Sequence, residues 1–230
     1  MNTGSIIEFD SVSKNFGDKH GVKAVRDVSF SIRPGETVAI MGPSGSGKST
    51  ILNLAAGLDT PSSGVIEIQG TDLSGLNDKQ LTRLRRKQIG LIFQSFNLLP
   101  TLTAVENVSL PLRLQGVSQK AAEKRALEML EIVGLEDRGS HLPDEMSGGE
   151  CQRVAIARAM VAQPELLLAD EPTGNLDSKT GMEVLEKVVN LNEEFGTTIV
   201  LVTHDRSAAE HCGRIMTLND GKIESLETAS

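Results

Sequence analysis

Apolar positions along the chain follow two patterns. Residues 37–41, 89–93, 165–169, 197–203 and 214–218 are short continuous apolar runs bounded by turn-forming or charged residues. Such runs suit β-strands buried on both faces. Between them, 49–56, 121–133, 151–162 and 180–195 carry apolar residues at helical spacing, which predicts α-helices. Strands alternating with helices predict an α/β fold around a parallel sheet. The N-terminal part differs. Residues 6–9, 25–32 and 65–68 alternate apolar with polar positions and are separated by turns such as Arg33-Pro34-Gly35. That predicts a small antiparallel sheet beside the main one. Residues 94–146 hold no strong strand signal and predict a mostly helical insertion between two core strands.

Composition narrows the partners. The 230 residues suit one domain with a subdomain. Lys and Arg number 23 against 31 Asp and Glu, a net charge of −8. This balance argues against a nucleic-acid binder working through a broad basic surface, so no nucleic acid is expected as partner. A hydrophobic fraction of 39% excludes disorder. No apolar run approaches the roughly 20 residues needed to cross a bilayer. The first ten residues lack a basic start followed by an apolar stretch, so no signal peptide is expected. Two cysteines, Cys151 and Cys212, make no disulfide framework, and a reduced cytosolic compartment fits best. Trp and Tyr are absent, so a ring stacking on a ligand must come from Phe or His.

The strongest chemical signal is Gly42-Pro43-Ser44-Gly45-Ser46-Gly47-Lys48-Ser49-Thr50, a phosphate-binding loop of the G-x-x-x-x-G-K-[ST] type. It follows a predicted strand and opens a predicted helix, the context the motif needs. Its glycines let successive N–H groups converge on one anion, and the helix end adds positive potential. Lys48 is placed for the β- and γ-phosphates and the Ser49 hydroxyl for Mg²⁺. Asp170 ends a buried run where it can orient the metal's shell. Glu171 follows and, facing the other way, can polarise a water for in-line attack. His204 ends the run Ile199 to Thr203, on the ligand face of an open α/β sheet.

Met146-Ser147-Gly148-Gly149-Glu150-Cys151-Gln152-Arg153, shortly before the Asp170 strand, completes a set that resembles the nucleotide-binding subunit of an ATP-binding cassette (ABC) transporter over essentially the whole chain. Ser147 can cap a helix whose first N–H groups are exposed at two glycines. The resemblance implies an ABC-type P-loop ATPase: a RecA-like parallel-sheet core with an antiparallel β-subdomain over 1–94 and 163–230, and a mainly helical subdomain over 95–162. It implies ATP and Mg²⁺ as cofactors, with Ser49, Gln94 and Asp170 serving the metal, Asp170 through water. It implies that Phe16, in Lys14-Asn15-Phe16-Gly17, stacks on adenine where most members have Tyr. Glu171 is similar to the family's catalytic base and His204 to its switch histidine. Ser147, Gly148, Gly149, Glu150 and Asp177 would serve the ATP of a second copy, so that two subunits sandwich two ATP head to tail. Glu150 stands where the usual signature has Gln, and Met146 where it has Leu.

Residues 93–100, 103–108 and 170–177 resemble the macrolide-export and lipoprotein-release branch. That implies a permease partner with a large extracytoplasmic domain and a peripheral place on the cytoplasmic face of the inner membrane. The cargo expected is of haem, lipoprotein, macrolide or peptide type. Regulation of a cell-wall hydrolase or sensor without transport is the alternative. A soluble ABC ATPase of DNA repair or translation needs a long coiled-coil insertion or a second cassette, for which the chain has no space. Phe96, Leu98, Leu99, Leu102 and Leu110 are apolar in a loop-rich segment and are expected to line a groove for the partner, or else to pack the subdomain's own core. Cys151 reads as a small residue in a helix's first turn, and Arg83 to Lys87 as a solvated helix face. His20, His141 and His211 form no metal-ligand pattern with the cysteines.

Overall fold

The computed structural model describes residues 4–17 and 21–228; His20 lies outside them. Among the described residues, ten strands form two sheets. β1 (Ile7–Phe16), β2 (Val22–Ile32), β4 (Ser63–Ile68) and β5 (Thr71–Asp72) make an antiparallel sheet in the order β2-β1-β4-β5. β3 (Thr37–Met41), β6 (Ile89–Ile92), β7 (Leu166–Asp170), β8 (Thr198–Thr203), β9 (Arg214–Asn219) and β10 (Lys222–Thr228) make the second, in the order β10-β9-β3-β8-β7-β6. All its pairs are parallel except β9–β10.

The period-2 alternation of the parallel strands divides the core in two. Val38, Ile40, Leu166, Leu168, Val200, Val202, Met216 and Leu218 face the antiparallel sheet and α1 (Lys48–Ala55). Ala39, Leu167, Ala169, Ile199, Leu201 and Ile215 face the opposite way. They meet α3 (Ala104–Leu114), α4 (Gln119–Ile132), α5 (Gly148–Met160), α6 (Ser178–Phe195) and the short α7 (Arg206–Ala209). Burial on both faces explains why these strands read as continuous apolar runs. It also sandwiches the helix of the phosphate loop between the two sheets.

Several elements are longer than the apolar pattern predicts or additional to it, the two-residue β5 among them. β1 runs on to Phe16 through a polar stretch, because its bulges are bridged by side chains: Ser11 N–H donates to Ser29 Oγ at 2.8 Å and Asp27 N–H to Ser13 Oγ at 2.9 Å. α2 (Asp78–Gln88) is a full helix with one buried residue, Leu81, held at its start by an Asn77–Gln80 capping box. β10 is an additional edge strand whose residues are exposed or half-buried.

The loop between β6 and α3 is pinned by Asn107, which is fully buried. Its Nδ2 donates to the carbonyls of Leu99, Leu102 and Thr103 at 3.1, 2.9 and 3.1 Å, and its Oδ1 accepts from Leu99 N–H at 2.8 Å.

Candidate functional site

β3 delivers the chain into the phosphate loop at the carboxyl edge of the parallel sheet. Two glycines there are obligatory. Gly42 has φ +155° and Gly47 φ +103°; a Cβ at the first would strike the Leu218 carbonyl oxygen, and at the second that of Ala24. Gly47 is the N-cap of α1 and has no side chain to satisfy the first turn. The helix therefore presents open N–H groups, the arrangement that receives an anion. Lys48 is only 6% exposed, and its Nζ donates to the Gly42 and Pro43 carbonyls at 2.8 and 3.0 Å. Those bonds hold the loop curled around the ammonium group. A hollow of about 480 Å³ opens over it, lined by Ser44, Gly45, Gly47, Lys48, Ser49, Thr50, Gln94, Asp170 and Glu171. Ala24 also lines it; no motif marks that residue, which arrives because β2 passes over the loop.

Asp170 comes from the end of β7, and its Oδ1 accepts from Ser49 Oγ at 3.1 Å. Burial raises its pKa, Ser49 and Lys48 pull it down, and the neighbouring Glu171 pushes it up. Glu171 adopts φ +44°, a strained conformation for a non-glycine residue. Its N–H donates to Val202 O at 2.9 Å, and its Oε1 lies 3.3 Å from His204 Nδ1. Gln94 is fixed beside them: Asn175 Nδ2 donates to the Gln94 carbonyl at 2.8 Å, and a Cβ on Gly174 would sit 2.8 Å from Gln94 Nε2. A second hollow of about 300 Å³, behind Glu171, is lined by Thr203, His204, Gly174 and Asp177 among others.

The donors around Ser49 are a hydroxyl, a carboxylate and an amide, hard oxygen ligands that suit Mg²⁺. Among the described residues no three His, Cys, Asp or Glu side chains cluster as a metal site. The protein's ligands alone are thus few, which fits an ion that takes its remaining ligands from phosphates and water. The buried Ser46 hydroxyl has no hydrogen-bond partner among the described residues, a further free polar group in the same loop.

Residues 42–50, 94, 170, 171 and 204 are thereby brought together. Phe16, at the end of β1, lines neither hollow; its ring is 46% exposed, and Lys14 Nζ lies 4.9 Å from its centroid. Ser147, Gly148, Gly149 and Glu150 also line neither hollow. They form the first turn of α5, where Gly149 packs against Thr180 of α6 without room for a side chain. Ser147 and Glu150 make a reciprocal capping box. Bonds from the Ser147 N–H and hydroxyl, then from Arg138, hold the Glu150 carboxyl down to a pKa of about 2. Asp177 caps α6 and borders the second hollow.

The apolar segment after Gln94 divides. Leu99 is 44% exposed, whereas Leu98 packs against the core and Phe96 is half-buried near Gly148. Leu102 and Leu110 are half-buried. None of them lines the adjacent hollow of about 300 Å³, whose walls include Phe93, Asn97, Pro111 and Arg158. Burial raises the pKa of both thiols, Cys212 to about 12, so neither is an activated nucleophile.

Comparison with known proteins identifies the family. A family model described as ABC transporter matches residues 25–174. The lipoprotein-releasing system ATP-binding protein LolD of Legionella pneumophila (strain Paris) is 48% identical over 206 residues, 90% of this chain and 91% of its own length. The uncharacterized ABC transporter ATP-binding protein MJ0796 of Methanocaldococcus jannaschii is 47% identical over 229 residues, 96% of this chain and 97% of its own. A dimeric structure of MJ0796 in a post-hydrolysis state, bound to ADP and Pi, superimposes with a TM-score of 0.91 over 97% of this chain and 99% of that one, at 44% identity. The chain belongs to the ABC transporter family. It is an ATP-binding subunit of that family, an ATPase with ATP and Mg²⁺ as its cofactors.

Proposed function

We propose that this subunit pairs with a second copy around two ATP molecules and drives an integral membrane permease with a large extracytoplasmic domain. In that reading it sits peripherally on the cytoplasmic face of the inner membrane and powers export or extraction of a cargo chosen by the permease. Its likeness to LolD supports the branch. No helix among the described residues is long and apolar enough to cross a membrane.

The loop 42–50 holds the phosphates through its N–H groups and Lys48, and Phe16 stacks on the base. Ser49, Gln94 and Asp170 hold Mg²⁺, which when bound neutralises phosphate charge. Glu171, oriented by its contact with His204, accepts the proton of the attacking water, and His204 meets the γ-phosphate. Ser147, Gly148, Gly149, Glu150 and Asp177 complete the site of the opposite copy. Residues 95–162 move as a helical subdomain against 1–94 and 163–230. They carry the partner's cytoplasmic segment at the exposed Leu99, with Phe96, Leu98 and Leu102 beneath it.

One observation carries this reading. Lys48, Asp170, Glu171 and His204 share one edge of the sheet, while the Ser147 end of α5 opens onto neither of their hollows. A second copy gives that end a phosphate to bind. Glu171→Gln tests it: ATP binding persists, turnover falls by about 10²–10⁴-fold, and MgATP yields a stable dimer by sedimentation. Full turnover in that variant removes the base assignment.

A further inference from the structure

We propose that Arg138 is a positioning residue for the trans half of the ATP site, keeping the Glu150 carboxylate from repelling the second copy's triphosphate. This rests on the reading that the Ser147 end of α5 receives that triphosphate.

The difficulty it solves is visible in the hydrogen bonds. Glu150 Oε2 accepts from the Ser147 N–H at 2.8 Å and from the Ser147 hydroxyl at 2.9 Å, and the hydroxyl accepts in return from the Glu150 N–H at 3.3 Å. A serine hydroxyl has one proton, and here it is committed to Glu150. A phosphate oxygen also needs that proton, so the hydroxyl has to turn away from the carboxylate when nucleotide arrives. The carboxylate then remains ionised within the first turn of the helix that is to receive an anion. A glutamine at position 150 would bring no such charge.

Arg138 is built to offset it. Its Nε donates to Glu150 Oε1 at 2.8 Å, the oxygen that Ser147 does not use. The carboxylate is thus shared, one oxygen to the helix cap and the other to a guanidinium. Arg138 Nη1 lies 3.3 Å from His141 Nε2, and Nη2 makes no hydrogen bond among the described residues. The turn carrying Arg138 is itself anchored. Arg138 N–H donates to Leu135 O at 3.0 Å, while Ala104 and Val105, in the first turn of α3, donate to His141 O and Gly139 O at 2.9 Å each. The guanidinium therefore comes from a fixed strap, not a free surface arm. When Ser147 turns towards phosphate, the Arg138 bond keeps Glu150 paired and holds it back.

A double-mutant cycle in the Glu171→Gln background tests this, reading the MgATP concentration that gives half-maximal dimer in sedimentation. With Glu150 present, Arg138→Gln raises that concentration about ten-fold, the size of one lost charge-assisted bond. In the Glu150→Gln background the same change costs about two-fold or less, because no charge remains to be offset. Arg138→Lys, which keeps the charge, recovers part of the loss and serves as the probe should Arg138→Gln lower the melting temperature. Equal cost in both backgrounds, or no cost in either, overturns the role given to Arg138. A Glu171→Gln parent that stays monomeric in MgATP overturns the trans reading itself, a result distinguishable from the first.

Discussion

Removing the Asn107 side chain should cost more than its one residue suggests. Asn107→Ala deletes four hydrogen bonds, but they are not equivalent. The Leu99 carbonyl keeps the Leu102 N–H at 3.1 Å, and the Thr103 carbonyl keeps the backbone N–H of residue 107 at 2.9 Å. The Leu99 N–H and the Leu102 carbonyl lose the partner they have. A buried polar group left unpaired costs about 1–3 kcal/mol, and the void beneath the loop adds to it. Because Leu99 is 44% exposed, water reaches part of the segment, and the net loss should be about 2–4 kcal/mol. Guanidinium unfolding followed by far-ultraviolet circular dichroism measures this; tryptophan and tyrosine are absent, so fluorescence does not serve. The midpoint should fall at unchanged slope. Asn107→Asp keeps the acceptor for Leu99 N–H but turns an oxygen towards three carbonyls, and should be no better than alanine. A loss below about 0.5 kcal/mol for Asn107→Ala, the size of an ordinary surface change, would refute the view that this side chain holds the loop.

Two further outcomes follow from the site. Gly47→Ala puts a Cβ into the Ala24 carbonyl at φ +103°, so it should abolish detectable ATP binding in a calorimetric titration; affinity within a factor of about three, less than 1 kcal/mol, would show that the loop is not held as described. The two capping-box acids give a pH signature. Glu106 and Glu150 are both held below the ordinary carboxylate range by bonds from Thr103 and Ser147, Glu150 at about 2. A carboxyl whose pKa is lowered on folding stabilises the folded state above its unfolded pKa, and that stability is lost as pH falls towards the folded value. Thermal stability should therefore drop between about pH 4.5 and 2, and the drop should be shallower in Glu150→Gln; identical acid profiles would contradict the cap.

The sequence made the phosphate site legible and the loops around it much less so. β3, β7 and β8 are buried on both faces and declare themselves as apolar runs, and the motif residues Gly42 to Thr50 follow β3 directly and run into the first turn of α1. β10 escaped because an edge strand needs no apolar face: its residues are exposed or half-buried, and Leu226 is 56% exposed. α2 was legible only as the solvated helix face of Arg83 to Lys87; its start at Asp78 escaped because the helix buries only Leu81 and is held by its cap and by Arg85, whose Nη1 donates to the Gly57 carbonyl at 2.6 Å. Leu98 and Leu99 look alike in sequence, yet the first packs inwards and the second outwards; the backbone of Leu99 is held by Asn107, eight residues away. Arg138 carries no motif, and its bond to Glu150 spans a turn whose path periodicity does not encode.

The two helix ends that serve phosphate under the proposed function differ in how they are closed. α1 has no side-chain cap, so its N–H groups wait for an anion. α5 is capped by its own Ser147 and Glu150, and such a cap is worth about 0.5–2 kcal/mol. ATP arriving at α1 displaces no internal partner except the carbonyls around Lys48. ATP arriving at α5 must first take the Ser147 proton from Glu150. Closure in trans therefore meets a competing internal bond, that of the Ser147 hydroxyl to Glu150, which binding in cis does not. Once the γ-phosphate leaves, Ser147 regains its internal partner and closure loses both an attraction and a reason to persist. A subunit that must open after every turnover gains from a trans end that can satisfy itself, and a helix end left bare, like that of α1, would not release so readily.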